Sequence, residues 1–250
     1  MTIQKRNWPF ILISLVTFIA IWFIPPVAQD LAFHRFADTR YFLGVPNGGN
    51  VLSNIAFVIV GLYGIGITLK ASVTIQIRLI YLVLFIGVIM TGLGSAHYHW
   101  NPNNNTLVWD RIPMTIVFMS FLAATLAELI DRRLGFGLLF PLVALGIGSV
   151  LWWHYTETLG QGDLRLYFWV QYYPMLAIPL LIATHYTPAL RPVFPILIWI
   201  VLWYIIAKLF ERWDYPIFNA TGISGHSLKH LAAAVSTWYF VVLFKTKNPA

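Results

Sequence analysis

The chain has no cysteine and little charge: Asp, Glu, Lys and Arg make up 10% of its 250 residues, against about 25% in soluble domains. The first absence removes disulfides, thiol nucleophiles and thiolate metal ligands. The second leaves little with which to cover a water-facing surface. Basic runs are missing as well. The 16 Lys and Arg are scattered along the chain, so the net charge of +7 is no nucleic-acid footprint, and anionic lipid headgroups account for it better. Short alternating strands of the β-barrel kind are lacking. No linker or low-complexity tract divides the sequence, which reads as one integral membrane domain over residues 1–250.

What is present is apolar. Hydrophobic residues make up 59% of the chain, and they gather into eight runs, at about 8–25, 51–70, 78–99, 107–129, 134–155, 164–184, 192–210 and 226–244. Each has, or nearly has, the length to cross ~30 Å of hydrocarbon as a helix. The fold class is therefore all-α and polytopic. The basic start before the first run resembles a signal peptide, but the run is long and no small-x-small site closes it, so it reads as a retained helix. Pro141, Pro174 and Pro179 fall inside runs, where membranes tolerate them and kinks are expected. Gly61, Gly64, Gly66, Gly146 and Gly148 are small residues suited to close helix packing.

Eight crossings put nine basic residues (Lys5, Arg6, Lys70, Arg78, Arg132, Arg133, Arg191, Lys245, Lys247) and two acids on one side. The other side holds seven of each sign. The bias is small and favours both termini on the cytoplasmic side, as in a bacterial inner membrane. In that count His99, Asp110, His226 and His230 all fall at the outer face.

Those four residues carry most of the chemistry. His226 and His230, in GHSLKH, share one helical face at i,i+4. Such a pair is half of a zinc site, or equally two interfacial histidines. His99 would supply a third ligand, with His97 the competitor two residues away. Ser95 lies one turn before His99 on the same face. Asp110, at the start of a membrane segment, is costly unless paired, hydrated or functional. It can serve as the base toward water or pair with Arg111. Zinc, water, Asp110 as base and Ser95 as a donor to a developing oxyanion are the ingredients of metal-assisted hydrolysis. Asn50, Ser53 and Asn54, in NVLSN, fit a helix cap, interhelix hydrogen bonding or site support. Asp30, His34 and Asp38 are spaced i,i+4,i+8. On a short helix they would line one face, as a second cation site, a lid surface or a solvated face salted by Arg35 and Arg40. His154, among Trp152, Trp153 and Tyr155, reads as part of an aromatic belt, and His185 as a boundary residue.

Taken in order, NVLSN (50–54), GLGSAHYH (92–99), WDRIPM (109–114) and GHSLKH (225–230) resemble the motifs of the alkaline ceramidase family. That family lies within a wider group of seven-helix membrane hydrolases, which includes adiponectin-receptor-like and GPI-remodelling proteins. The resemblance covers about residues 46–244. It implies a seven-helix core with the first run as an additional helix, zinc held by His99, His226 and His230, Asp110 as the water-activating acid, and Ser95 as the motif serine. It also implies hydrolysis of the N-acyl amide of a ceramide-like lipid to a sphingoid base and a fatty acid. The family's calcium site does not carry over: Asn47 stands about where the family has a glutamate, and the Asp30–Asp38 stretch is organised differently. Arg111 also departs from the family, which usually has an acid there. Hydrolysis of another lipid amide or ester at the same site, and a seven-helix receptor with structural zinc, are the alternatives.

Overall fold

The computed structural model describes residues 5–248. Among them the regular secondary structure is helical, apart from one isolated bridge, Phe42 to Val45. The helices are α1 (Trp8–Ala20), α2 (Gly48–Leu52), α3 (Ile55–Lys70), α4 (Ile75–Trp100), α5 (Asn104–Leu129), α6 (Arg132–Thr158), α7 (Arg165–Thr184), α8 (Val193–Arg212), α9 (Asp214–Thr221) and α10 (Gly225–Lys247). Seven spans are long and apolar enough to cross a membrane: Gly48–Lys70, which joins α2 and α3, and α4, α5, α6, α7, α8 and α10. Large apolar side chains such as Leu12, Ile59, Phe140 and Ile198 are more than half exposed. Water would penalise such a surface, and a bilayer solvates it. The chain is an integral membrane protein.

The expected run at 8–25 becomes a shorter element. α1 ends at Ala20, a 3-10 turn covers Ile21–Phe23, and Ile24 is extended (φ −86°, ψ 137°). The residue before a proline is pushed out of the helical region, and Pro25 follows. Met1–Gln4, where the basic start begins, lie outside the described residues. The expected span at 51–70 starts earlier and is interrupted at Ser53 and Asn54, between α2 and α3. α9 was not anticipated. It is eight residues long and closes on Gly222, whose φ of 73° suits glycine.

The chain forms two compact units. One draws on Met1–Gln29, Val73–Leu84 and Thr115–Arg191. There α1 and α6 pack on α7. Thr17 Oγ1 accepts a hydrogen bond from Trp169 Nε1 at 3.0 Å, Ser14 bonds Tyr173, and His185 Nε2 reaches Asn7 Oδ1 at 2.8 Å. His185 is thus buried and bonded at the end of α7. Trp153 is fully buried and donates to Glu157 at 2.9 Å, while Trp152 and Tyr155 are exposed.

The other unit draws on Asp30–Ser72, Phe85–Met114 and Pro192–Ala250. Here α10 packs on α8 and α3. Gly61 and Gly64 of α3 lie against Ile89 and Phe85 of α4 so closely that a Cβ would collide. In the first unit Gly146 lies against Thr115 less closely, a Cβ there falling 3.0 Å from the threonine side chain. Gly66 and Gly148 have nothing within 4 Å of a Cβ position, so the packing role expected of them is absent.

α5 carries a further internal proline, Pro113. It supplies no N–H to the carbonyl of Trp109, four residues earlier. Gly94 of α4 is seated on that same carbonyl. The crossing sets Ser95 beside Asp110.

Candidate metal centre

The first turn of α10 is fixed before its histidines come into play. Ser224 caps the helix, its Oγ accepting from the backbone N–H of His226 (3.0 Å) and Ser227 (3.3 Å). Asp214, buried at the start of α9, receives the Ser224 hydroxyl (2.7 Å) and the His226 N–H (3.0 Å) on Oδ1, and the Ala37 N–H (2.9 Å) on Oδ2. Gly225 permits this, since a side chain there would strike the carbonyl of Phe210 and the backbone of Asp214. The helix N-terminus is the favoured place for a carboxylate, and Asp214 occupies it.

His226 and His230 then project from one face of α10, and His99 comes from the end of α4. The ring centroids are 4.7 Å (99–226), 4.8 Å (99–230) and 4.9 Å (226–230) apart, a nearly equilateral triangle. One candidate ligand atom from each lies within 4.8 Å of the others. All three rings are buried, His99 to 1% exposure. Phe36 closes over two of them, 4.7 Å from His99 and 4.6 Å from His226. His97 is exposed; the structure takes His99 into the cluster.

The donor set fits a metal ion. His99 Nε2 and His226 Nε2 stand 3.2 Å apart, close to the separation of about 3.3 Å that two nitrogens have when bound tetrahedrally at 2.0–2.1 Å. His230 Nε2 is buried with no hydrogen-bond partner among the described residues, and an unsatisfied buried polar atom calls for an explanation. His230 Nδ1 is occupied by Ser53 Oγ at 2.8 Å, whose hydroxyl also lies 3.1 Å from the carbonyl of Asn50. With Ser53 donating to that carbonyl and accepting from His230 Nδ1–H, the lone pair falls on Nε2, which the triad faces. Three imidazoles with an open position are a ligand set suited to zinc.

NVLSN therefore reaches the cluster. Asn54 Nδ2 donates to the carbonyl of Asn50 at 2.8 Å, and Asn50 Oδ1 accepts from Ser227 Oγ at 2.8 Å, all in buried surroundings. Asn47 was unassigned. It has a left-handed backbone (φ 49°), and its amide donates to the carbonyl of His99 at 2.8 Å. That carbonyl is one of the last four of α4 and lacks a helical donor.

Ser95 and Asp110 are both buried and hydrogen-bonded to each other. Ser95 precedes His99 by one turn on the same face of α4, so the residue that bonds Asp110 and a member of the triad share that face. Arg111 is buried, with its guanidinium 5.7 Å from the ring centre of Phe33. A charged group that the sequence did not single out also borders the site. Lys229 Nζ is 3.4 Å from His226 Nε2 and 2.7 Å from Glu211, which also pairs with Lys208 at 2.7 Å. The adjacency of Lys229 to His230 was visible; its partner on α8 was not.

Asp30, His34 and Asp38 do not share a helical face. Only Leu31–His34 is helical, as a 3-10 turn, and Arg35 is extended (φ −95°, ψ 123°), so the i,i+4,i+8 register has no helix to carry it. Asp30 caps that turn by accepting from Ala32 N–H. His34 uses both nitrogens, toward Tyr98 Oη (2.9 Å) and Asn104 Oδ1 (2.8 Å). Asp38 is gripped by Arg40 through two bonds of 2.8 and 2.9 Å, and the Arg40 hydrogen bond holds its carboxyl below the usual range. Among the described residues, the group that can gather around a metal ion is His99, His226 and His230.

No family model, curated protein or solved structure matches this chain.

Proposed function

We propose that the chain is a zinc-dependent membrane amidase of the alkaline ceramidase kind, cleaving the N-acyl amide of a ceramide-like lipid. The observation that carries this reading is the triad of buried imidazoles, with Ser95 one helical turn before His99 and Asp110 hydrogen-bonded to Ser95. His99, His226 and His230 would hold the ion, which when bound supplies Lewis acidity to water and to the amide carbonyl. Asp110 takes a proton as water attacks the carbonyl carbon, and returns it to the nitrogen as the C–N bond breaks, releasing a fatty acid and an amine. Ser95 Oγ–H donates to the Asp110 carboxylate and so orients it; once Asp110 has taken the proton and can itself donate to Ser95 Oγ, the serine proton is free to turn to the oxygen on which negative charge develops. Phe36, packed on two of the rings, keeps bulk water from them. Both termini lie in the cytoplasm and the triad near the outer face, an arrangement that reporter fusions at either end would test. Calcium has no part in this reading.

Purified protein should release a sphingoid base from ceramide. A chelator should abolish turnover and added zinc restore it, and Asp110→Asn should be inactive while still binding about one zinc per chain. Zinc-loaded, folded protein that leaves a panel of N-acyl lipids intact would overturn the proposal.

A further inference from the structure

Next to the triad, the same unit forms an open pocket of about 350 Å³ with His226 in its lining and Phe33, Phe36 and Trp213 among its walls. That volume suits a lipid head group. Its charged groups are unequally committed. Glu211 already has two cations at 2.7 Å, Lys208 and Lys229. Asp214 is taken up by the Ser224 hydroxyl and by the N–H groups of His226 and Ala37. Arg35 and Arg212 line the same pocket, and neither guanidinium has an ion-pair or hydrogen-bond partner among the described residues. Both carboxylates are engaged and both arginines are available.

We propose that Arg35 and Arg212 bind an anionic group, carboxylate or phosphate, on the amine side of an N-acyl lipid whose amide reaches His226. The inference deepens the amidase reading and rests on it. It adds to the ceramide-like substrate of that reading a preference, among N-acyl lipids, for those whose amine side carries an anionic group. Guanidinium groups suit this task because their planar fork matches carboxylate and phosphate oxygens two at a time. Both side chains are exposed, so a head group entering the pocket reaches them without displacing a protein partner.

The test uses full-length, chelator-treated protein in a neutral detergent, so that metal cannot act as the anion receptor. Affinities are measured by titration calorimetry for three probes of one chain length: N-dodecanoylglycine, N-dodecanoyl-phosphoethanolamine and neutral N-dodecanoylethanolamine. At least one anionic probe should bind about tenfold more tightly than the neutral one. The one that does identifies carboxylate or phosphate. The double variant Arg35→Gln/Arg212→Gln should bring the ratio below about two. Raising salt from about 0.05 to 0.5 M should shrink the ratio in the unsubstituted protein, a check that needs no variant. Equal affinities for all three probes, or a ratio that survives the double substitution, would overturn the assignment. Since binding is read without metal, absence of turnover on loaded protein would count against the amidase reading and leave the anion preference standing.

Discussion

Ser53 Oγ lies 2.8 Å from Nδ1 of His230, so a hydroxyl in the break between α2 and α3 sets the orientation of an imidazole on α10. Partners that orient a ligating histidine are worth about 10- to 100-fold in metal affinity. Ser53→Ala should weaken zinc binding by that order while the protein still folds, and Ser53→Thr should retain most of it. Competition against a chromophoric chelator measures both. Unchanged affinity in Ser53→Ala would show that Ser53 does not orient His230, leaving that role to packing or to the Asn54 amide, 3.4 Å from the same nitrogen.

His97 and His99 separate cleanly by burial, one exposed and the other 1% exposed inside the triad. His99→Ala should lower the metal content from about one ion per chain to near none, and His97→Ala should leave it unchanged, by elemental analysis of purified protein. Equal loss in both would refute the assignment.

Gly94 and Gly66 offer a contrast within one residue type. A methyl at Gly94 runs into the Trp109 carbonyl, whereas a methyl at Gly66 meets nothing within 4 Å. Gly94→Ala should cost about 1–3 kcal/mol, as overpacking does. Gly66→Ala should be neutral or stabilising by up to ~1 kcal/mol, since glycine is the poorer helix former. Thermal unfolding in detergent ranks them, and equal losses would contradict the close approach of α4 and α5.

The Asp38–Arg40 clip predicts a pH dependence. The folded carboxyl is held below its ordinary range by the hydrogen bond from Arg40, so the unfolded chain binds the proton first. The clip's contribution is therefore fully present above the unfolded carboxylate pKa of about 3.9 and is lost as pH falls through the folded value. The Tm difference between the unsubstituted protein and Asp38→Asn should be steady from pH 7 to about pH 5 and shrink at lower pH. A difference that stays constant down to pH 3 would mean the clip does not form.

Much of this organisation could be read before any coordinates. The seven spans follow from apolar runs whose length is dictated by the bilayer. The i,i+4 geometry of GHSLKH places two imidazoles together in any helix. The residues alone leave His97 and His99 both open, and it is the resemblance of GLGSAHYH to the family motif that favours His99. What escaped notice depends on long-range pairing. Asp214 is one more acid in a loop until α9 turns it onto the N-terminus of α10, and Glu211 meets Lys229 only because α8 packs on α10. In the stretch from Asp30 to Asp38 the pairing of Asp38 with Arg40 is present, but the helix that even spacing suggests is not, because each side chain there bonds a different partner. α1 was drawn too long because hydrophobicity does not register where a proline forces the preceding residue out of the helix.

Pro113 and Gly94 together make the α4–α5 crossing a matter of register. A carbonyl released from helical bonding receives a backbone with no side chain, and neither half of that match recurs one residue along. Sliding α5 by one residue would shift it 1.5 Å and turn it by about 100°, removing Asp110 from Ser95. A bilayer that thickens, thins or tilts the helices strains this protein along those axes. The notch between Gly94 and Trp109 acts as an alignment pin, holding the acid and the serine in step while the lipid around them changes.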